Sequence, residues 1–152
     1  MRLVHIRLLA PLALVSAAPA AAAQDPVQWS GSAVRAGEGS VTATLRATVQ
    51  KGWYIYSLEQ PANGPTPLRF RAAASSGASV GAVTEPSPRV SYDQGFRMRV
   101  GKHYGASAFT MPVKLTTSVA AVPVEVRYQA CNDNICLPPR TKTVQINLPR
   151  AR

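Results

Sequence analysis

Between Ser40 and Gln50 every second residue is apolar: Val41, Ala43, Leu45, Ala47 and Val49 alternate with Thr42, Thr44, Arg46 and Thr48. Successive side chains of a β-strand point to opposite faces, so this run buries one face and solvates the other only when extended. The same period recurs in Val122 to Gln129, where Val124, Val126 and Tyr128 oppose Glu125, Arg127 and Gln129. It recurs again in Thr141 to Leu148, which places Val144, Ile146 and Leu148 on one side. Helical periodicity is nearly absent, internal repeats are absent, and 13 prolines and 10 glycines punctuate short β-rich runs. The chain is therefore expected to be all-β.

The remaining segments refine that expectation. Trp53 to Tyr56 follows a Lys51-Gly52 turn and is aromatic enough for a strand. Gln60 to Pro67 is too rich in breakers to be anything but loop, and alternation resumes from Leu68 to Ala72. Val80 to Val83 is expected to pair briefly, and Glu85-Pro86-Ser87-Pro88 to turn. From Val90 to Lys102 the pattern is weakest, which predicts a long, partly extended loop of the kind that often carries function. Ala108 to Leu115 reads as a strand whose Pro112 belongs at an edge or a bulge. The last two strands are expected to form a hairpin with Cys131 and Cys136 in its tip. Roughly eight short strands imply a two-sheet sandwich, with the topology open.

The first residues, Met1 to Arg7, carry two positive charges, and an apolar run from Leu8 to Val15 follows. Pro19 interrupts it, and Ala21-Ala22-Ala23 offers the small residues a signal peptidase reads. Residues 1–23 are thus expected to be a cleaved signal peptide, with 24–152 as one exported domain. The apolar run is too short to span a bilayer, which takes about 20 residues. The net charge of +10 is spread over scattered lysines and arginines, with one cluster at Arg97, Arg99, Lys102 and His103. This scatter fits a solvated basic face rather than nucleic-acid binding.

Two cysteines in an exported chain, close in sequence and flanked by turn formers, are expected to be disulfide-bonded. Closing so small a ring stabilises by only about 2 kcal/mol in the chain-entropy account. Exposure at a loop tip suits thiol–disulfide exchange, but small exported domains also carry inert hairpin disulfides, and on these grounds both readings stand. Metal binding is not expected: outside the signal segment His103 is the one histidine, and the cysteine spacing is unlike zinc knuckles. A Cys-His nucleophile lacks a third group to orient His103, which reads as a surface residue. No glycine-rich phosphate cradle is present, so no nucleotide cofactor is implied. The rival to exchange is a non-catalytic β-sandwich binding module with a structural disulfide, using a sheet edge near Pro112 and the basic segment Arg97 to His103.

Three segments break the tie by resemblance. Gly52-Trp53-Tyr54-Ile55-Tyr56-Ser57, Gly64-Pro65-Thr66-Pro67-Leu68, and Tyr128-Gln129-Ala130-Cys131 through Cys136-Leu137-Pro138-Pro139-Arg140-Thr141-Lys142-Thr143 resemble the N-terminal periplasmic domain of the disulfide reductase DsbD. The similarity runs over roughly Val27 to Leu148. It implies a periplasmic immunoglobulin-like antiparallel β-sandwich acting as a thiol–disulfide oxidoreductase without a cofactor. By the same resemblance Cys131 and Cys136 are the redox pair, reduced by a thioredoxin-like donor and reducing periplasmic partners. One sulfur forms the mixed disulfide and the other resolves it.

The family also places an aromatic cap over the disulfide. Phe96 is the candidate here, with Gly95 as hinge; the alternative for Phe96 is an ordinary core contact. Tyr54 and Tyr56 are expected to line the site or to serve as sheet packing. Asp93 is expected to tune thiol pKa or to be simply solvated. The full-length reductase adds a membrane conduit and a thioredoxin-like domain, so this sequence is expected to act as a stand-alone exported version and as a monomer.

Overall fold

The computed structural model describes residues 25–149, and every regular element within them is a strand. In chain order these are β1 (Val27–Gly37), β2 (Ser40–Val49), β3 (Tyr54–Tyr56), β4 (Arg69–Ala72), β5 (Ala78–Val80) and β6 (Arg89–Asp93). Then follow β7 (Met98–His103), β8 (Ala106–Leu115), β9 (Ala121–Tyr128), β10 (Ala130–Cys131) and β11 (Arg140–Asn147). They pair, always antiparallel, into sheets ordered β1-β2-β8-β5, β10-β3-β7-β6 and β11-β9-β4. The architecture is the immunoglobulin-like antiparallel β-sandwich that the resemblance implied. The expected signal segment lies outside the described residues.

Alternation dictates where the core sits. Val41, Ala43, Leu45, Ala47 and Val49 of β2 are all buried, as are Phe109, Met111 and Val113 of the neighbouring β8. They face Val122, Val124, Val126 and Tyr128 of β9 and Val144 and Ile146 of β11, forming one apolar cluster between the layers. Trp29 of β1 bridges them, its ring centroid 5.9 Å from Phe70, 5.9 Å from Phe109 and 5.6 Å from Tyr128. Gly31 of β1 lies where the sheets close on each other: a Cβ there would stand 2.8 Å from Ile146 Cγ1, so only a bare backbone fits.

The β9–β11 pairing is the expected hairpin, in register from Ala121↔Asn147 to Tyr128↔Arg140. Three expectations need correction. Val90 to Lys102 is not a long loop but a second hairpin, β6–β7, closed by Asp93↔Met98. Its period-2 signal is weak because polar Ser91, Asp93 and Lys102 and the glycine Gly101 stand where apolar residues would mark a strand face. β8 is not an edge strand, since it lies between β2 and β5. Pro112 sits where its outer partner changes from β5, ending at Val80, to an isolated bridge between Thr84 and Thr110. Finally, Lys102 and His103 do not belong to a solvated basic face, as both are buried.

Candidate functional site

Strand β3 is short but buried on both faces, and that positions everything that follows. Ile55 points into the main core, while Tyr54 and Tyr56, one residue to either side, point the other way into a small second cluster with Val100 and Cys131. Leaving β9 after Tyr128, the chain crosses to the second sheet and pairs as β10, with Ala130 opposite Ile55 and Cys131 opposite Tyr54. The cysteines are therefore not simply at the tip of the β9–β11 hairpin: the connection carries Cys131 onto a different sheet.

Cys131 and Cys136 are disulfide-bonded. The turn between them is already closed by backbone hydrogen bonds from Asn132 N to Ile135 O (2.9 Å) and from Leu137 N to Ala130 O (2.9 Å). Asn132 Oδ1 accepts further bonds from the amides of Asn134 and Ile135, both 2.8 Å. The two sulfurs see different surroundings. Cys131 is fully buried, whereas Cys136 is exposed and lines a cleft of about 470 Å³ together with Tyr54, Asp93, Phe96, Lys102 and Ile135.

A polar cluster lies against the buried sulfur. Tyr56 Oη stands 3.3 Å from Cys131 Sγ and 3.1 Å from Asp93 Oδ2, and Tyr54 Oη donates to the same carboxylate oxygen at 3.2 Å. Lys102 Nζ pairs with Asp93 Oδ2 at 2.9 Å and lies 4.1 Å from the centroid of the Tyr54 ring. Asp93 Oδ1 accepts the amides of Gly95 (3.0 Å) and Phe96 (3.3 Å), which ties the β6–β7 turn to the site. Burial pushes the Asp93 carboxyl up, but the Lys102 hydrogen bond, the Phe96 amide and the Lys102 charge outweigh it and hold the carboxyl below the usual carboxylate range. Burial pulls Lys102 down, yet bonds to Asp93 and Tyr54 keep it above an ordinary lysine. Burial, with the neighbouring Tyr54 and Asp93, drives the Tyr56 hydroxyl far above the usual tyrosine value, so it keeps its proton.

The structure brings all six sequence candidates together. Phe96 is half-buried, with its ring 5.9 Å from Tyr56 in an edge-to-face contact, and it lines the same cleft as Cys136. Asp93 is buried and bonded rather than solvated. Gly95 leaves room for a Cβ, nearest to Asp93 Oδ1 at 3.4 Å, and the left-handed residue of the turn is Arg97 (φ 54°). His103 is buried rather than on the surface. Its Nε2 bonds Glu85 Oε2 at 2.9 Å, and its ring packs on Phe109 on the opposite face of β7 from Lys102. Sequence reasoning missed Lys102; its signal is the alternation Met98, Val100, Lys102, which continues an apolar face into a charge. Among the described residues no three histidine, cysteine or acidic side chains gather to hold a metal.

A family model described as the N-terminal part of the thiol:disulfide interchange protein DsbD matches residues 23–148. Among solved structures, the reduced N-terminal domain of DsbD from Neisseria meningitidis shares 16% identity at a TM-score of 0.51, over 69% of this chain and 75% of that one. The N-terminal periplasmic domain of ScsB from Proteus mirabilis shares 16% identity at a TM-score of 0.61, over 82% of this chain and 47% of that one. This chain thus spans about half the length of the ScsB domain. At such identities both likenesses speak to the fold. No curated protein matches the chain.

Proposed function

Because this chain belongs to the family of the N-terminal domain of the thiol:disulfide interchange protein DsbD, we propose that it relays electrons by thiol–disulfide exchange through Cys131 and Cys136, between a thioredoxin-like donor and periplasmic oxidoreductases. The observation that carries this reading is the asymmetry of the pair: an exposed Cys136 over a cleft, and a buried Cys131 beside a hydroxyl donor. An inert staple needs neither, and here the backbone already closes the turn.

The asymmetry divides the labour. A donor thiolate attacks Cys136 Sγ, the Cys131–Cys136 bond breaks, and its electron pair leaves on Cys131 as a thiolate while donor and Cys136 form a mixed disulfide. The donor's second thiolate then attacks the donor sulfur of that bond and releases Cys136. Two electrons have reached the pair as two thiolates, and the protons these take up are balanced by those the donor thiols gave to solvent on ionising. Onward transfer runs in reverse: the Cys136 thiolate attacks an oxidised partner, and Cys131 attacks Cys136 to expel the partner reduced. Hydrogen bonding from Tyr56 stabilises Cys131 as the leaving thiolate, and a better leaving group exchanges faster.

Phe96 acts as the cap, an apolar lid that keeps adventitious thiols from the disulfide until a partner docks. Exposed Tyr92 and Ile135 line the cleft beside Cys136 and offer apolar contact to that partner. Periplasmic residence is supported by the family and by the signal-like residues 1–23; among the described residues no helix is long and apolar enough to cross a membrane.

Equilibration of residues 24–152 in glutathione or dithiothreitol buffers, with thiol trapping, tests the reading. A reduction potential of roughly −120 to −270 mV is expected; a value below about −300 mV marks a structural disulfide and overturns it.

A further inference from the structure

An ammonium buried beside a redox sulfur calls for a reason. Lys102 is 5% exposed, and a lysine is almost never buried unless paired. Its partner Asp93 is equally enclosed, so the pair is costly to desolvate and brings little net stability in return. Its place in the cluster supplies the reason. A continuous line of contacts runs from Lys102 Nζ to Asp93 Oδ2 (2.9 Å), to Tyr56 Oη (3.1 Å), to Cys131 Sγ (3.3 Å).

Tyr56 has one hydroxyl proton and three acceptors within reach: Asp93 Oδ2 at 3.1 Å, Cys131 Sγ at 3.3 Å and Cys136 Sγ at 3.8 Å. A disulfide sulfur is a weak acceptor, so in the oxidised domain the proton belongs to Asp93. When exchange turns Cys131 into a thiolate, the sulfur becomes a strong acceptor. Asp93 can release the Tyr56 proton only if its charge stays satisfied. It does, through Lys102, Tyr54 and the amides of Gly95 and Phe96. Without a cation Asp93 would hold the Tyr56 proton or take up one of its own, and two buried anions would face each other across one hydroxyl.

We propose that Lys102 is a positioning residue for exchange: by holding Asp93 as a carboxylate it lets the Tyr56 hydroxyl swing its hydrogen bond to the Cys131 thiolate, and it supplies the positive charge that a buried thiolate needs. The inference rests on the exchange reading above and adds a part to it. The titratable groups around Cys131 are Tyr54 and Tyr56 from β3, Asp93 at the end of β6, Lys102 from β7, and Cys136 across the turn. Removing the cation disfavours the thiolate, and removing the carboxylate favours it. The two changes therefore act with opposite signs, which loss of a merely structural ion pair would not produce.

The test follows the Cys131 Cβ chemical shift across pH in the reduced domain. Lys102→Met is expected to raise the Cys131 thiol pKa by about one unit and Asp93→Asn to lower it, with Lys102→Arg close to the parent. Reduction of the disulfide by dithiothreitol is expected to slow several-fold in Lys102→Met. Shifts of the same sign in both variants, or none, overturn the proposal. Should the variants not fold, the unsubstituted protein still decides: the Asp93 carboxyl carbon must show no titration of its own between about pH 5 and pH 9 in the reduced state, and a carboxyl that takes up a proton there refutes the assignment. A disulfide that no dithiol reduces would instead overturn the exchange reading itself.

Discussion

Tyr56 Oη lies 3.3 Å from Cys131 Sγ and 3.8 Å from Cys136 Sγ, nearer the cysteine that is buried. Tyr56 and Cys131 are 75 apart in sequence. They meet because β10 joins β3, and the hydroxyl is aimed at the sulfur that must leave when the other is attacked.

Tyr56→Phe deletes that hydroxyl and leaves the ring. A hydrogen bond to a charged group contributes about 1.5–3 kcal/mol, and each 1.4 kcal/mol is about tenfold in rate. Reduction of the disulfide by a dithiol, followed by stopped-flow, should slow by about tenfold or more. Asp93 also loses a donor, so urea unfolding should show a loss of about 1–3 kcal/mol. An unchanged rate would separate Tyr56 from the leaving-group role.

Phe96→Ala widens the cleft that Phe96 and Cys136 both line. Small monothiols should then reduce the disulfide faster, while the fold, judged by circular dichroism, stays intact because Phe96 only flanks the second cluster. Equal rates in parent and variant would return Phe96 to the role of a packing contact.

Stability should fall at both ends of the pH scale. Asp93, and Asp25, which accepts the Tyr128 hydroxyl at 2.6 Å and the Val27 amide at 3.1 Å, sit below the ordinary aspartate value of 3.8 when folded, so their contribution is complete above that pH and is lost as pH falls through their lower folded values. Lys102 sits above 10.5 when folded, so its contribution is complete below 10.5 and is lost as pH rises through the folded value. Tyr54, Tyr56 and Tyr128 are raised above 10, which adds to the alkaline limb because the unfolded chain ionises them first. The melting temperature should be flat between about pH 5 and pH 9. Asp93→Asn should flatten the acid limb; an unaltered limb would mean that other carboxylates set it.

Gly31→Ala separates stability from redox chemistry. The new Cβ would fall 2.8 Å from Ile146 Cγ1 and 3.2 Å from Val144 Cγ1, both in the main core. Overpacking of this kind costs about 1–3 kcal/mol. Chemical denaturation should show that loss with the reduction potential unchanged, since Gly31 of β1 is on a different sheet from Cys131 of β10. A shifted potential would show that the sheet of β1 is coupled to the sheet of β10.

Much of this molecule can be read from alternation alone. The buried face of β2, the β9–β11 hairpin and its inward valines are each stated by a period of two over eight or more residues. Where the period is short or broken by polar residues, the reading fails. β10 has two residues and β3 has three, too few for any period, and β6–β7 looked like loop because Asp93 and Lys102 occupy inward positions. The two tyrosines and Asp93 entered as candidates through family resemblance, while Lys102, which has the same surroundings, had only its charge to be judged by.

By itself the sequence determined the strands, their inner and outer faces, and the presence of a cysteine pair between two strands, because side-chain direction in an extended chain is a local property. Tertiary structure alone decided which sulfur is buried, which hydroxyl faces it, and that a lysine lies inside rather than out. Those outcomes depend on β10 leaving the sheet of β9 for that of β3, and on Asp93 meeting Lys102 across a turn. A buried charge is tolerated only where an opposite charge and donors converge on it, and that convergence exists only once the sheets have formed.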